Sequence, residues 1–507
     1  MKPNKAPCRV LRGSIAALLA IAFSTALTQV AEAAVTWDAN GLGASQTDGA
    51  GAWKNANLWW TGSANQTWVS GDDAIFGVGG TGGAVTLAGM TTVNSLTLNS
   101  FSGTYTLGSA GAANTITLNA GIAINGGAGA VTISSPIALN GTQSWTNNGA
   151  STFTVSGAVT GGGDTLILDG SGAGLTTLTG GLSFTGGGGL VIGKSGTLGT
   201  TISGGTINLG GSGGITISDG ASAFTLGAAT ISADQAWTNH SSTAMTVTGA
   251  LALGTSRLTL ADGDFSFGGA SSGSVGIDLN GGSKLIAKVA GAFGTSATTL
   301  TFNGGNLELR ATATTFTGKL DMTAAGTTIN IDPASSGNGV THTISGAAIL
   351  GGGQTMAISP GSLTTNNTSY GLTLSGAKAL TGDSTYTING NGSGNGTLTF
   401  SSGAIDLQSG TRTLTFNAGA GAGVRSASIS GSFVAGSGIL DLAGDAPVTI
   451  GSLTTSANAL QVSGTGTYTF SGTSTFTGGV ILNSAGATVI ATTAGGLGST
   501  SGVRSKF

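Results

Sequence analysis

From Gly464 to Asn483 the chain reads GTGTYTFSGTSTFTGGVILN, and this stretch shows the pattern that decides the fold. Small and β-branched polar residues alternate in it with Tyr468, Phe470 and Phe476, and glycine marks each break. Alternation with a period of two is typical of a β-strand that buries one face, and Thr, Val, Ile, Tyr and Phe suit a pleated surface. Looser copies recur from about Val93 almost to the C-terminus. The chain is therefore predicted to consist of many short strands.

Short strand cores of the same kind follow one another along the chain. Gly, Asn, Ser and Asp turns join them, and no helical period of useful length interrupts them. This pattern is typical of an all-β protein. The main series is SLTL (Ser95 to Leu98), TYTL (Thr104 to Leu107), TITL (Thr115 to Leu118), VTIS (Val131 to Ser134), FTVS (Phe153 to Ser156), LILD (Leu166 to Asp169), ITIS (Ile215 to Ser218), LTLA (Leu258 to Ala261), LELR (Leu307 to Arg310), TINI (Thr328 to Ile331), LTLS (Leu372 to Ser375), LTFS (Leu398 to Ser401), LTFN (Leu414 to Asn417) and LDLA (Leu440 to Ala443).

The composition fits an elongated β-protein better than other classes. The 507 residues include 95 Gly and 6 Pro, and only 7% are charged. So few charges exclude a disordered polyelectrolyte, and abundant glycine without a Gly-X-Y period excludes collagen. Hydrophobic residues make up 39% of the chain and come in bursts of two or three. We therefore expect one elongated body with a long, narrow core rather than several compact domains.

The first 33 residues differ from the rest of the chain. Four basic residues precede an apolar run from Ile15 to about Leu27, and the small-x-small sequence AEA ends at Ala33. This order predicts a secretory signal peptide over residues 1–33, and an N-terminal membrane anchor is the alternative. The single cysteine, Cys8, precedes the apolar run. The mature chain is therefore expected to form no disulfide and to use no thiolate chemistry.

The charge of the predicted mature chain argues against nucleic acid as a partner. Removing residues 1–33 takes away four basic residues and one acid, so the formal net charge changes from −3 to −6. The remaining basic residues form no stripe that would hold a phosphate backbone. We therefore expect no nucleic-acid partner.

Residues 34–82 are predicted to form a distinct opening segment that is rich in tryptophan. Five of the seven tryptophans lie in this segment, interleaved with Gly and Asn: Trp37, Trp53, Trp59, Trp60 and Trp68. The first turn of a stacked repeat protein exposes an apolar end, which large aromatic side chains can cover. We therefore interpret the segment as an N-terminal cap. The alternative is a platform on which carbohydrate rings stack.

Residues 83–507 are predicted to form a parallel β-helix, or β-solenoid, of stacked Gly/Thr-rich repeats. A sandwich or barrel rarely holds more than about ten strands, whereas a solenoid accepts any number by adding turns. At roughly 20 to 25 residues per turn, the segment would form about 20 turns that stack about 4.8 Å apart. A longer duplication supports stacking, because the segment from Ile137 to Val159 resembles Thr230 to Leu251 with Trp145 and Trp237 in register.

One family resemblance follows from these residues. From Gly464 to Ile490 the chain reads GTGTYTFSGTSTFTGGVILNSAGATVI, which resembles the autotransporter-associated β-strand repeat, also called the passenger-associated transport repeat. That repeat runs as a G-x-G-T-hydrophobic-T pair, then S-G-x-N-T-Y-T-G-G-T, then a strand. Its core is similar to the segment from Thr473 to Gly479, where Ser474 replaces the usual Asn and Phe476 the usual Tyr. The Trp-rich opening is also similar to regions of the same long secreted proteins.

The resemblance implies a passenger-type, right-handed parallel β-helix that a Gram-negative bacterium secretes or displays on its surface. Its repeats would assist export and folding, and the implied partner is the outer-membrane translocation machinery. Autotransporters also end in a membrane β-barrel of about 250 residues or more, built from strands of roughly ten residues. This chain ends in GGLGSTSGVRSKF, so the C-terminal translocator barrel is expected to be absent. Either the reading frame is truncated or another export route is used.

Two glycine motifs are literal matches to phosphate-binding patterns. The segment from Gly188 to Ser195 reads GGLVIGKS, but its LVI favours a strand, and the SGTLGTTISGG that follows Lys194 is a poor helix. Lys194 is therefore expected to be a solvated corner residue. The segment from Gly77 to Gly82 reads GVGGTG, and neither a helix nor an acid about 20 residues on follows it. We predict no nucleotide and no cofactor at either motif.

A serine nucleophile is considered at GASSG, from Gly269 to Gly273. The chain has only two histidines, His240 and His342, so His342 would have to act as the base, for example with Asp332. Nothing in the sequence places a strand-to-helix elbow at this serine. We expect His342 to point outward from a strand, and we predict no catalytic triad.

Carboxylates are the remaining candidates, because β-helices host many polysaccharide lyases and hydrolases that need clustered acids, often with a basic residue or calcium. The predicted mature chain has one glutamate, Glu308, and scattered aspartates. Asp72 and Asp73 would face opposite sides of a strand, so turn-forming roles are favoured. A structural role is also favoured for the best remaining set, which is Asp262, Asp264 and Lys284. We predict no catalytic, cofactor-binding or metal-binding residue.

These observations predict an exported, non-enzymatic β-helical surface or matrix protein with a structural or adhesive role. Its Thr, Ser and Asn side chains would contact a cell-surface, matrix or glycan partner. The alternative is a carbohydrate-active β-helix enzyme, either a polysaccharide lyase or a hydrolase. A ligand-binding module built on the Trp-rich opening is a third hypothesis. The scarcity of acids, bases and histidine favours the first.

Overall fold

The computed structural model describes residues 33–43, 45–324, 327–455, 459–476, 478–498 and 503–505. Strands hold 50% of the chain and helix 1%, and the strands stack in parallel as a β-solenoid of about 18 turns. The prediction of an all-β, parallel β-helix is therefore confirmed. The predicted signal peptide over residues 1–33 lies, except for Ala33, outside the described residues.

Each turn has three strand positions, which we call faces 1, 2 and 3 in the order in which the chain visits them. Strands in one position pair in parallel with those of the adjacent turns, and face 1 does so in two runs, the second of which is an eight-stranded sheet that starts at Thr315. Face 1 contains Ile137–Leu139, Val159–Gly162, Leu182–Phe184, Ile207–Leu209, Ala229–Ile231, Leu251–Gly254, Ser271–Gly273, Thr315–Phe316, Thr341–Ile344, Tyr370–Leu374, Gly396–Ser401, Arg425–Ser430, Val448–Ile450, Thr467–Phe470 and Thr488–Ala491. Face 2 contains Ala34–Trp37, Asp73–Phe76, Gln143–Asn147, Leu166–Asp169, Gly189–Ile192, Gly214–Ile217, Gln235–Asn239, Gly276–Asn280, Thr299–Asn303, Lys319–Met322, Ala348–Leu350, Lys378–Leu380, Ile405–Asp406, Ser432–Ala435, Leu453–Thr455 and Thr475–Phe476. Face 3 contains Gly51–Ala52, Ala84–Thr86, Thr104–Leu107, Ala130–Ile133, Phe153–Val155, Thr176–Leu178, Thr200–Ile202, Phe224–Leu226, Met245–Val247, Ser283–Ala287, Asn306–Arg310, Thr327–Asp332, Gln354–Pro360, Ser384–Ile388, Arg412–Ala418, Ile439–Ala443, Ala459–Val462, Val480–Leu482 and Val503–Ser505.

Three longer strands cross a corner and belong to two faces. Thr91–Leu98 and Ile116–Ile124 continue from face 1 to face 2, and Arg257–Phe267 continues from face 2 to face 3. The remaining elements are the two short strands Trp59–Trp60 and Asn65–Gln66 and one 3-10 turn at Ala112–Asn114.

Alternate side chains of each strand point into the solenoid and form its core. On successive turns of face 2, Leu166, Leu190, Ile215 and Trp237 are register neighbours, and each is at most 1% exposed. Turns stack about 4.8 Å apart, so apolar side chains of one turn contact those of the next along the whole length of the core. The period of two in the sequence therefore becomes a continuous apolar interior, with Thr, Ser and Asn on the outside.

Glycine allows two of these long strands to turn a corner. Gly121 and Gly263 both have positive φ, of 122° and 85° respectively. A Cβ at Gly121 would stand 2.2 Å from the backbone oxygen of Ser144, and one at Gly263 would stand 1.8 Å from that of Asn239. Both oxygens belong to an adjacent turn, so any other residue would push successive turns apart.

The duplicated segment forms the same hydrogen-bond arrangement twice. In the second copy, Trp237 Nε1 donates to Gln235 Oε1 at 2.9 Å, and Gln235 Nε2 donates to the backbone oxygen of Leu209 at 2.8 Å. In the first copy, Trp145 and Gln143 make the corresponding bonds at 3.0 and 2.8 Å. Each buried glutamine therefore satisfies the indole N–H and links its own turn to the preceding one.

A buried asparagine, Asn239, adds a hydrogen bond from the second copy to the following turn. Asn239 Oδ1 accepts a hydrogen bond from the Ser241 N–H at 3.1 Å. Its Nδ2 donates to the backbone oxygens of Thr243 at 3.0 Å and of Asp264, in the next turn, at 2.9 Å. One amide thus holds a corner and the adjacent turn together.

The Trp-rich opening covers the first edge of the solenoid. The strand Ala34–Trp37 pairs in parallel with Asp73–Phe76 on one side and antiparallel with Trp59–Trp60 on the other. Asn65–Gln66 continues this antiparallel hairpin. The hairpin occupies an edge that would otherwise leave backbone N–H and C=O groups unpaired.

Four of the five tryptophans of this segment lie inside it. Trp37, Trp53 and Trp59 are fully buried and Trp68 is 8% exposed, and their rings form a cluster with Phe76. Burial of these rings supports the interpretation as a cap. It also removes Trp53 as a carbohydrate-stacking residue, because its ring has no exposed face.

Asn239→Ala tests the cross-turn hydrogen bonds. The substitution leaves one N–H and two carbonyl groups without their partner inside the protein, so we expect the free energy of unfolding to fall by about 1–3 kcal/mol. Urea unfolding followed by circular dichroism measures this change. The matched control is Thr238→Ala, on the same strand at a half-buried outward position. Equal stability of the two variants would contradict the role assigned to Asn239.

Candidate functional site

Ionisable side chains gather on face 3 in the middle of the solenoid. We call Asp264, Lys284, Glu308, Arg310 and Asp332 the charged ladder. Asp264 and Lys284 are register neighbours on successive turns, and so are Arg310 and Asp332. Each of the five lies next to a buried core residue of its strand and so occupies an outward position. Stacking therefore brings together residues that are about 20 to 25 apart in sequence.

The signs of charge alternate along the ladder. Lys284 Nζ lies 2.8 Å from Asp264 Oδ2 and 3.7 Å from Glu308 Oε2. Arg310 Nε donates to Glu308 Oε1 at 2.6 Å, and it lies 3.9 Å from Asp332 Oδ2. Each charge therefore has an opposite charge beside it.

Glu308 is the centre of the ladder and is only 3% exposed. Burial raises the pKa of its carboxyl group above the ordinary value, while the charges of Arg310 and Lys284 act in the opposite direction. A buried carboxylate with two cationic neighbours is an anchored member of an ion-pair network rather than an open general base.

Asp332 ends the ladder by holding a neighbouring loop. Its fully buried carboxylate accepts hydrogen bonds from the N–H groups of Leu363 and Thr364 at 3.0 Å each, and from the Thr364 hydroxyl at 3.0 Å. The carboxylate is therefore engaged by the backbone of the next turn.

The structure separates Asp262 from Asp264, the two acids that the sequence analysis considered together with Lys284. Asp264 and Lys284 do come together, but Asp262 belongs to a different, exposed pair, with His240 Nε2 3.9 Å from its Oδ2. Sequence reasoning missed Arg310 and Asp332 as members of the cluster. The available signal was the outward position of Glu308 and Arg310 in the LELR strand, but the register between turns was needed to place their partners.

His342 is fully buried, so the expectation that it points outward is wrong. Its Nδ1 accepts a hydrogen bond from the Thr314 N–H at 3.1 Å, and its Nε2 lies 2.9 Å from the backbone oxygen of Asp332, to which it donates. Burial lowers the pKa of the imidazole below its ordinary value. The ring therefore has no lone pair available to act as a base.

The serine of GASSG has a structural partner. The hydroxyl of Ser271 is buried and donates to the backbone oxygen of Ala292 at 2.7 Å. Ser271 lies in a β-strand that is followed by the strand Gly276–Asn280, and not by a helix. The arrangement is therefore not a nucleophile elbow.

The GVGGTG loop does bind an anion, but the anion belongs to the chain. The N–H groups of Gly77, Val78 and Gly80 donate to the carboxylate of Asp48 at 3.1, 2.9 and 2.7 Å, and the Tyr105 hydroxyl donates to it at 2.7 Å. Successive backbone N–H groups commonly form such anion-binding concavities. Here the concavity is filled, and it fastens the cap to the first turns.

The GGLVIGKS segment contains the strand Gly189–Ile192, as the sequence indicated, and is followed by the strand Thr200–Ile202. The placement of Lys194 was wrong, because it is fully buried rather than solvated. Its Nζ donates to the backbone oxygen of Gly172, in the preceding turn, at 2.6 Å. Burial lowers the pKa of the ammonium group, and the nearby carboxylate of Asp169 opposes this shift.

Asp72 and Asp73 connect the cap to neighbouring segments. Asp72 accepts hydrogen bonds from the Ala33 N–H and from Gln66 Nε2, both at 3.3 Å. Asp73 accepts from the N–H and the hydroxyl of Ser95 at 3.1 and 2.6 Å. The two adjacent carboxylates therefore bind different groups, which supports structural rather than catalytic roles.

Lys378 is a buried cation that sequence reasoning missed. It is 1% exposed, and its Nζ donates to the backbone oxygens of Ser401 at 2.9 Å and of Ser402 at 3.0 Å, in the next turn. Burial lowers its pKa to about 8. The signal was its spacing of two residues from the buried Leu380, which places it on the inward side of the strand.

Within the described ranges, no three His, Cys, Asp or Glu side chains form a group that could hold a metal ion.

Among the helices of the described residues, none has the length and apolar character needed to cross a membrane.

Comparison with protein-family models, with curated proteins and with solved structures gave no match for this chain.

Lys378 makes stability depend on pH. The ordinary lysine pKa is 10.5, and in the folded protein it is lowered to about 8. Between these two values the unfolded chain binds more protons than the folded one, so the free energy of unfolding rises with pH. We expect a gain of about 2 kcal/mol between pH 7 and 9.5, measured by urea unfolding at several pH values.

Lys378→Met keeps the apolar stem and removes the titrating group, so it should reduce this rise and leave only the part contributed by Lys194, whose pKa burial also lowers. Lys319→Met, at a half-buried outward position of face 2, is the matched control and should retain it. An undiminished rise in Lys378→Met would contradict the role assigned to Lys378.

Proposed function

We propose that this chain is an exported, non-enzymatic surface or matrix protein of the autotransporter-passenger type. Its solenoid would act as a structural scaffold that adheres to a cell surface, an extracellular matrix or a glycan. The observation that carries the proposal is the regular outer surface, on which one side chain is repeated turn after turn.

A ladder of seven threonines runs along face 3 without interruption. All seven lie at outward, half-buried positions and are successive register neighbours: Thr106, Thr132, Thr154, Thr177, Thr201, Thr225 and Thr246. Except at Thr177, whose hydroxyl oxygen is buried, hydroxyl groups about 4.8 Å apart offer the same donor and acceptor from turn to turn. Such a surface suits weak, repeated contacts with an extended partner, whose individual contributions add through multivalency.

A second ladder follows on face 1 of the later turns. Its members, again register neighbours, are Thr315, Thr343, Thr373, Thr399, Ser428, Thr449 and Thr469. Only one position departs from threonine, and serine keeps the hydroxyl there. The two ladders together give most of the solenoid's length a repeated hydroxyl surface.

The ionisable groups support a scaffold rather than a reaction. Lys284 and Arg310 are paired with carboxylates, and Lys194, Lys378 and His342 bond to backbone groups. The interactions of these side chains hold one turn to the next.

Export is the part of the proposal that rests on sequence alone. The order of basic, apolar and small residues in positions 1–33 supports secretion, and the repeat-like segment near the C-terminus supports a Gram-negative source and the outer-membrane translocation machinery as a partner. A parallel solenoid is also compatible with such export, because each new turn can add to the one before it.

The adhesive role is tested with beads that carry the full chain on an array of glycans and matrix proteins. We expect beads to be retained on at least one coating, and Thr201→Val with Thr225→Val, two register neighbours of the ladder, to weaken retention several-fold without lowering the melting temperature. The matched control is Thr216→Val with Thr238→Val, two register neighbours on face 2. No retention on any coating would contradict the adhesive role.

The enzymatic alternative is tested on a panel of polysaccharides. A scaffold should release neither reducing ends nor unsaturated products from any of them. Release by the wild-type chain that is lost in Glu308→Gln would instead establish a lyase or hydrolase centred on the charged ladder.

A further inference from the structure

Trp60 is the one tryptophan of the opening segment that does not enter the cap cluster. The strand Trp59–Trp60 alternates, so Trp59 points inward and is fully buried, whereas Trp60 points to the other side and is half-buried. A large ring left at the surface beside four buried ones calls for a separate explanation, because the cap is already complete without it.

The Trp60 ring lies in an open groove of about 510 Å³. Gly43 and Leu42 form one side of this groove, and Asn57 and Asn65 contribute to the rest. Leu42 is 82% exposed, so the groove pairs an apolar side chain with an aromatic ring at the surface. Exposed apolar groups that come together in this way mark a binding site more often than isolated ones do.

Glycine and internal hydrogen bonds shape the wall of the groove beside the ring. Gly43 has a φ of 92°, which favours glycine, and a Cβ there would stand 3.6 Å from the Trp60 ring. The buried carboxylate of Asp38 holds this wall in place, accepting from the Gly43 N–H at 3.3 Å and from Asn65 Nδ2 at 2.8 Å. The groove is therefore fixed by internal hydrogen bonds before any ligand arrives.

The polar groups of the groove are neutral and in part unused. The side chain of Asn57 is exposed, and neither it nor Trp60 Nε1 has a hydrogen-bond partner among the described residues. Every residue that lines the groove is uncharged. A ligand that fits must therefore present an apolar face to the ring and neutral hydroxyl groups to the amide and the indole N–H.

We propose that the Trp60 groove binds a neutral hexopyranose, as the terminal sugar of a glycan. The C–H face of the sugar packs on the indole ring, while its hydroxyl groups bond to Asn57 and to Trp60 Nε1. This inference rests on the adhesive function proposed above and names the class of ligand. A peptide strand fits less well, because Trp59–Trp60 already pairs on both sides, with Ala34–Trp37 and Asn65–Gln66, and so offers no free edge beside the ring.

The test uses the full chain and methyl α- and β-hexopyranosides of glucose, galactose and mannose, with binding followed by saturation-transfer NMR and titration calorimetry. At least one glycoside should bind, and Trp60→Ala should weaken it at least tenfold, whereas Trp60→Phe should keep it within about threefold. Asn57→Gly removes the amide and tolerates the positive φ of 60°, so it should weaken binding without a loss of stability. Val69→Ala, at an exposed apolar residue outside the groove, is the matched control and should bind like the wild type.

Two results would overturn the inference. One is a wild-type chain that binds none of the glycosides, and the other is binding that both Trp60→Ala and Asn57→Gly leave unchanged. If the chain binds a glycoside through Trp60 but its beads are not retained on any coating, only the adhesive function is contradicted. If the beads are retained on a coating but the chain binds no glycoside, only the sugar site proposed for the groove is contradicted.

Discussion

Parallel hydrogen bonding between the backbones of successive turns is the interaction on which the rest of the structure depends. Because nearly all internal strands of the described residues pair with the turn before and the turn after, outward and inward positions are repeated along the axis at a fixed spacing. The same pairing makes the apolar side chains of successive turns meet and aligns the threonine ladders. It also leaves an exposed edge at the first turn, which the antiparallel hairpin and the tryptophan cluster cover.

A second constraint follows from the first. The chain must turn three corners in every turn, and at a corner the backbone groups lose their regular partners. Buried polar side chains supply those partners: Asn239, Gln235, Lys194 and Lys378 each bond to a backbone oxygen of an adjacent turn. Some ionisable groups of this charge-poor chain are used in the same way, since Asp332 accepts hydrogen bonds from backbone N–H groups of the next turn and Lys284 pairs with Asp264 of the preceding one.

The strands and the fold class were predictable because alternation with a period of two is a local property of the sequence. Cores such as LILD and ITIS lie in the strands Leu166–Asp169 and Gly214–Ile217. The prediction of side-chain direction failed near corners, as at Lys194 and His342. The inward and outward alternation restarts at a corner, and the sequence does not show whether the first residue after it points inward or outward. Of the charged ladder only Asp264 and Lys284 were grouped from the sequence, since its members meet through the register between turns, and the number of residues per turn varies. Trp60 follows the buried Trp59 in the same short strand and faces the other side of it, and the sequence does not show which of the two enters the core.

Disulfide formation between register neighbours measures the stacking most directly. In a Cys8→Ser background, Thr154→Cys with Thr177→Cys places two thiols on directly paired positions of successive turns, whereas Thr154→Cys with Thr201→Cys places them two turns apart. Paired positions about 4.8 Å apart meet the distance that a disulfide needs, and positions about twice as far apart do not. The account predicts rapid oxidation of the first pair only, with the fold retained. Failure of the first pair, or equal oxidation of both, would contradict a solenoid whose turns stack in this register.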